Sequence, residues 1–265
     1  MKQGRMTGRM NRWYDERMYR EHGREYYSNS DFFNYGYWDE HTPDQKSASE
    51  HLMNRLLAYQ PDKTGTILDV ACGKGASTAH LQKSFSADAI TAINISEKQL
   101  ETARLKAPGS TFLVMDAAQL DFPDSSFDTV LCLEAVFHFK TRERFLQEAL
   151  RVLRPGGCLL LTDILLSEWG RRHDLWWIEK SNQALIDPQE YEALYREIGY
   201  DPIIIEDATK PCWDGHYKNL AAFSQQQLLA GALEVEAYEE IAARVFRIIP
   251  FIGYYLLVTA KKPLS

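Results

Sequence analysis

The chain has 265 residues, 45% of them hydrophobic, and a formal net charge of −7. That length exceeds a minimal domain and falls short of two full-sized ones, and the apolar share excludes a chain disordered throughout. Net acidity argues against a dedicated nucleic-acid binder, whose domain carries a basic face. The charge is uneven: residues 1–25 hold seven basic and four acidic side chains, leaving −10 for the rest. This basic arm reads as a solvated, frayed end. After it, WYDERMYREHGREYY (13–27) is expected as a helix, followed by the aromatic, Asn/Gly-containing stretch 28–44. Residues 45–59 have helical spacing, with Leu52, Leu56 and Leu57 on one side.

From TILDVAC (66–72) onward, strands and helices alternate. DAITAINI (88–95), STFLVMDA (110–117), FDTVLCLEA (127–135) and GGCLLLTDILL (156–166) read as strands. STAHLQKSF (77–85), SEKQLETARLKA (96–107) and TRERFLQEALRVL (141–153) read as the helices between them. Apolar strands separated by helices predict an α/β fold with a doubly wound, mostly parallel sheet. Beyond Leu166 a helical stretch leads to Asp187-Pro188, an N-cap followed by a first-turn proline. DPIIIEDAT (201–209) is a strand, 217–247 one long helical piece, and YYLLVTAKK (254–262) the closing strand. The expected division is an arm and cover segment over 1–45, then one domain over 46–265 with helical lid insertions at about 167–200 and 211–247.

Cys72, Cys132, Cys158 and Cys212 lie far apart without CxxC pairing, so neither a disulfide framework nor a metal site is expected. The amino terminus lacks the apolar core of a secretory signal. The apolar run Ile248 to Ala260 is broken by Pro250 and Gly253 and is too short to span a bilayer. A soluble cytoplasmic protein is the expectation.

The strongest local signal is Ile67-Leu68-Asp69-Val70-Ala71-Cys72-Gly73-Lys74-Gly75. Glycines at a strand-to-helix turn let a ligand approach the backbone at the sheet's carboxyl edge. Thr78 stands where a dinucleotide fingerprint needs its third glycine, and the P-loop pattern is absent. Asp69 would repel a pyrophosphate but suits a ligand bearing an ammonium or sulfonium group. Asn94 ends the second strand 19 residues beyond Gly75, where a ribose-binding polar residue is expected. Asp116 can accept a hydrogen bond from an exocyclic amine.

DVACGKG, the strand-end MDA (115–117), DFPDSSFD (121–128) and LRPGG (153–157), in that order, resemble the class I S-adenosylmethionine-dependent methyltransferases. The similarity is to the small-molecule group that includes ubiquinone, tocopherol and sterol methyltransferases, and it is best over residues 26–163. It implies a seven-stranded Rossmann-like sheet, S-adenosylmethionine as cofactor and S-adenosylhomocysteine as product. By the same resemblance, Asp69 and the backbone of Ala71, Cys72, Gly73 and Gly75 would hold the methionine part. Asn94 would bind the ribose hydroxyls, Ile95 would pack on the adenine, Asp116 with the Ala117 amide would read its edge, and Gln99 would also belong to the cofactor site. Glu134 would lie beneath the donor, and Tyr27 and Tyr35 would form an aromatic cover. Trp38 would face the acceptor, with His138 orienting or deprotonating it. Apart from the resemblance, Pro211 and Gly215 suggest a loop at the pocket mouth, so Trp213 and His216 are also expected on the acceptor side.

Two positions depart from the family pattern. Ala71 stands where glycine is usual, and Asn94 replaces the commoner acid of the ribose position. The Trp176-Trp177 pair reads as lid packing, and His173 carries no chemical expectation. The aromatic content favours a small aromatic or apolar acceptor, with oxygen, nitrogen and carbon all open, in natural-product tailoring. A non-catalytic S-adenosyl binding module, or another S-adenosylmethionine enzyme on the same fold, remains an alternative at this point. No nucleic-acid partner and no stable membrane insertion are expected, and a homodimer is possible.

Overall fold

The structure, a computed structural model, describes residues 3–19, 24–60, 62–173, 178–185 and 187–264. Trp176 and Trp177 fall outside them. Seven strands form one sheet in the order β3-β2-β1-β4-β5-β7-β6. They are β1 (Ile67–Val70), β2 (Ile90–Asn94), β3 (Thr111–Val114), β4 (Phe127–Cys132), β5 (Leu153–Leu166), β6 (Ile203–Asp207) and β7 (Ile252–Lys261). All neighbours run parallel except β7, which is antiparallel to both β5 and β6. The chain leaves one edge after β3 and resumes beside β1 with β4. The strand order therefore reverses at the β1–β4 boundary, where open α/β sheets bind ligands beyond the strands' carboxyl ends.

Both faces of the sheet are covered, as the apolar strands require. Ile67, Leu131 and Leu160 point into the side packed by α2 (Gln45–Ala58) and α3 (Ala76–Leu81). Leu68, Val130 and Leu159 point to the other side, against Phe145, Leu146 and Ala149 of α5 (Arg142–Val152). The alternation along each strand sorts the core into these two layers. α4 (Glu97–Lys106) links β2 to β3 and starts at Ser96, whose hydroxyl accepts from the Gln99 N–H as an N-cap.

After β5 come the short α6 (Glu168–Arg171) and then α7 (Pro188–Ile198), which begins as expected, with the Asp187 carboxylate accepting from the Glu190 N–H. α7 does not cover the strands' carboxyl ends. Its Tyr191 and Tyr195 are fully buried against the α5 side of the sheet. The long helix expected over 217–247 is two helices, α8 (Gly215–Leu229) and α9 (Val235–Ile248), separated by a turn at Gly231 with φ +71°. At the other end of the chain the helix expected from Trp13 starts earlier, as α1 (Gln3–Met18). The arm read as a frayed end is instead an ordered wall.

Candidate active site

A cavity of about 770 Å³ opens at the carboxyl ends of β1, β2 and β4. Its floor carries Ala71, Cys72 and Gly73 from the loop after β1, and Asn94 and Ile95 from the end of β2. Gln99, Asp116, Ala117, Glu134 and His138 complete the predicted residues that line it. The sequence pattern thus brought ten residues to one cavity. Asn11, Tyr14 and Met18 of α1, together with Phe32, Phe33 and Glu179, line it without having been expected.

The loop after β1 keeps its shape without the usual glycine. Ala71 has φ +60°, a left-handed conformation costing a non-glycine residue roughly 1–2 kcal/mol. Glu134, at the end of the adjacent β4, has φ +51°. Two strained residues on neighbouring strands thus flank the cavity, as strain at functional sites does. Gly73 (φ +54°) faces the space, where an added Cβ would make only ordinary contacts, with the Met18 side chain at 3.5 Å and Gln99 Oε1 at 3.9 Å. Gly75 serves packing instead: its Cβ would stand 2.7 Å from the Ala103 Cα of α4. It does not line the cavity.

Asp69 lies one layer down, buried, accepting from Ser77 Oγ (2.8 Å) and Thr78 Oγ1 (2.7 Å) on one oxygen. Its other oxygen, Oδ1, is buried without a hydrogen-bond partner. Burial pushes this carboxyl up to about 6, against the lowering effect of the two hydroxyls. Glu134 accepts from the Tyr35 N–H (2.8 Å) and the Tyr255 hydroxyl (2.6 Å) on Oε1. Burial still pushes it up to about 8. An orphaned Asp69 oxygen beneath the loop, Glu134 and Asp116 in the wall, and a glycine facing the space fit a cationic, adenosyl-bearing ligand.

His138 ends a short helical turn (Val136–His138) after β4. Asn182 holds that turn: its Nδ2 donates to the Phe137 and Phe139 carbonyls, and its Oδ1 accepts the Arg142 N–H. Arg142 in turn is paired with Asp163 at the end of β5, both buried, and Tyr191 donates to the same carboxylate at 2.6 Å. The imidazole meets α1, with His138 Nε2 2.6 Å from the Tyr14 hydroxyl.

Besides Asp69 and Gly75, five predicted residues do not line the cavity. Tyr27, Tyr35, Trp38, Trp213 and His216 belong to an aromatic pack behind Glu134. His216 is buried with Nδ1 2.9 Å from Gln45 Oε1, and burial pushes it down to about 3, so it stays neutral. Trp213 is 1% exposed and donates to the Ile249 carbonyl, while the Trp38 indole donates to the Tyr35 carbonyl. Gly215, two residues after Trp213, leaves room for this packing: a Cβ there would stand 2.9 Å from the Trp38 Cβ. Within the two expected lid insertions, Glu179 alone among the described residues lines the cavity.

Comparison with known proteins agrees with this geometry. The family described as "Methyltransferase domain" matches residues 68–161, from β1 to β5. The 27-O-demethylrifamycin SV methyltransferase of Amycolatopsis mediterranei is 34% identical, over 86% of this chain and 89% of its own. Methyltransferase GfsG of Streptomyces halstedii is 30% identical over 88% of each. In fold, geranyl diphosphate C-methyltransferase from Streptomyces coelicolor A3(2) superposes with a TM-score of 0.68 at 12% identity, covering 97% of both chains. The chain belongs to the class I S-adenosylmethionine-dependent methyltransferases. This methyltransferase is thus an enzyme of small-molecule methylation with S-adenosylmethionine as cofactor. Among its described residues no helix is long and apolar enough to cross a membrane.

Proposed function

We propose that this methyltransferase methylates a hydroxyl oxygen of a natural-product acceptor, with His138 taking the hydroxyl proton. The observation that carries the reading is the 2.6 Å contact of His138 Nε2 with the Tyr14 hydroxyl in the cavity wall. It places a basic nitrogen where it already engages an oxygen. Names among the relatives support the oxygen acceptor, since the rifamycin enzyme is named for an O-demethyl compound.

In this reading Ala71, Cys72 and Gly73 hold the methionine part of the cofactor by their backbone, and Asp69 supports them from below. Asn94, Ile95 and Gln99 border the adenosyl part, with Asp116 and the Ala117 N–H at the adenine edge. S-adenosylmethionine, when bound, supplies a methyl group already activated on a sulfonium. The protein's remaining task is positioning, an effect that can reach about 7–11 kcal/mol, plus removal of one proton.

Burial keeps the Tyr14 phenol well above its ordinary range, despite the opposing charge of Arg17. With this neutral phenol donating to Nε2, the mechanism takes the imidazole tautomer that carries its proton on Nδ1. An acceptor hydroxyl that replaces Tyr14 at Nε2 passes its proton to that nitrogen as its oxygen gains the methyl group. α1 walls the same space with Asn11, Tyr14 and Met18.

The test is a panel of matched phenol, alcohol and amine acceptors with methyl-labelled cofactor, followed by product mass. Transfer to hydroxyls that collapses in His138→Gln supports the reading. Transfer confined to amines, or full turnover of hydroxyls by the variant, overturns it.

A further inference from the structure

Asn94 does not offer the ribose position what an acid would. Its Oδ1 accepts the Ile95 N–H at 2.9 Å, and its Nδ2 donates to Gln99 Oε1 at 2.7 Å. Nucleotide sites on such sheets hold the ribose hydroxyls with a carboxylate at about this point, because a carboxylate accepts from both without supplying a competing proton.

A carboxylate is nevertheless present there, brought by another element. Asn11, Tyr14 and Met18 of α1 line the cavity. Asp15, four residues after Asn11 and three before Met18, follows the same side of the helix at the cavity's edge, where it touches the lining residue Gln99. Its Oδ1 accepts from Ser96 Oγ and from Gln99 Nε2, both at 2.7 Å. Its Oδ2 accepts no hydrogen bond among the described residues. Because Gln99 gives its amide protons to Asp15, its carbonyl must turn to Asn94, which fixes the orientation of both side chains.

We propose that Asp15 is the ribose carboxylate of this enzyme, supplied by the covering helix in place of the residue at the end of β2. Oδ2 accepts from the ribose hydroxyls while Oδ1 stays anchored on Ser96 and Gln99. Cofactor affinity and closure of α1 then depend on one group: the helix is drawn down by the cofactor it covers. This inference rests on the reading of the cavity as the adenosyl site.

The experiment measures binding of S-adenosylhomocysteine and of its 2′-deoxy analogue by calorimetry, to the wild type and to the Asp15→Asn and Asp15→Ala variants. A charge-assisted hydrogen bond predicts that the wild type prefers the hydroxylated ligand by about tenfold or more. Both variants should bind S-adenosylhomocysteine about tenfold more weakly and lose that preference. Variants that keep the wild-type preference, whether or not they bind more weakly, overturn the proposal, because Asp15 then acts only as a latch. Gly73→Val separates the two readings. If it leaves wild-type affinity intact, the adenosyl site is elsewhere. If it abolishes binding while Asp15→Asn leaves the preference unchanged, only the role of Asp15 falls.

Discussion

The Tyr14 hydroxyl and His138 Nε2 are 2.6 Å apart although 124 residues separate them in the chain. The contact joins the covering helix to the turn after β4, so the cavity's roof and its basic nitrogen are one unit. Edge-to-face packing of the two rings, with centroids 5.4 Å apart, fixes their relative orientation.

Substituting either partner should affect turnover differently. His138→Gln removes the base and should lower kcat by about 10²–10⁴-fold on a hydroxyl acceptor. Tyr14→Phe removes one neutral hydrogen bond and should change kcat by roughly tenfold at most. Calorimetry with S-adenosylhomocysteine should show near-native affinity for His138→Gln. Steady-state kinetics with equal losses for the two variants would contradict this division.

Glu134 should make cofactor binding depend on pH. With its pKa pushed up to about 8, it is mostly protonated at neutrality. Around it, burial holds the phenols of Tyr14, Tyr27, Tyr35 and Tyr255 above their usual range, so none ionises first. A cation prefers the ionised carboxylate, so affinity for S-adenosylmethionine should rise between pH 6 and 8 and level off above. Glu134→Gln should flatten that rise, measured by calorimetry across the pH range.

The same group costs stability as pH rises. Its folded pKa lies above the unfolded value of 4.5, so folding gains nothing from its charge. The contribution is full below about pH 4.5 and is lost progressively as pH climbs through 8. At pH 8.5 Glu134→Gln should therefore be more stable than the wild type by about 1–3 kcal/mol, and nearly equal to it at pH 4.5. Urea melts at the two pH values decide it.

Gly75 and Gly73 should respond unequally to alanine. Gly75→Ala meets backbone, the Ala103 Cα at 2.7 Å, and should cost about 2–3 kcal/mol in chemical denaturation. Gly73→Ala has room and should cost about 1 kcal/mol for its left-handed backbone. Its effect should fall on cofactor affinity instead.

Arg142 should be the most sensitive position outside the cavity. It is 2% exposed, paired with Asp163, and its Nη2 donates to the Ile164 carbonyl at 2.6 Å. Arg142→Ala leaves a buried carboxylate uncompensated, which costs about 3–5 kcal/mol. A loss under 1 kcal/mol in urea titration would show that the pair is dispensable.

The strands and the glycine loop were legible because they obey local rules. TILDVAC and DAITAINI are apolar runs with turn residues behind them, and burial on both faces allows little else. Asp116, at the end of another such strand, followed from the same register, and Glu134 from the resemblance those motifs carry. α1 was not legible as a wall. The residues with which it lines the cavity, Gly8, Met10, Asn11, Tyr14 and Met18, mix polar and apolar types on a helix rich in charge, because they border a ligand cavity and not the core. The aromatic cover was misplaced for the opposite reason. Trp38, Trp213 and His216 are types that suit both a ligand pocket and a core. Only the tertiary contacts, such as Trp213 to Ile249 and His216 to Gln45, separate the two.

Lys74, in the glycine loop itself, pairs with Asp31 at 2.5 Å and donates to the Met18 carbonyl at the end of α1. Lys106 of α4 binds the same Asp31. Burial alone would raise the Asp31 carboxyl, but these two ammonium groups hold it below its ordinary value. Met10 is the one apolar side chain of α1 that is buried among the described residues, and it lines the cavity. The helix is therefore fastened by polar contacts and by ring-edge packing of Tyr14 on His138 and Phe33, at the cavity and not in the core. A lid fastened in this way can be opened and remade in every catalytic cycle without exposing the sheet's core, so traffic through the cavity need not endanger the fold.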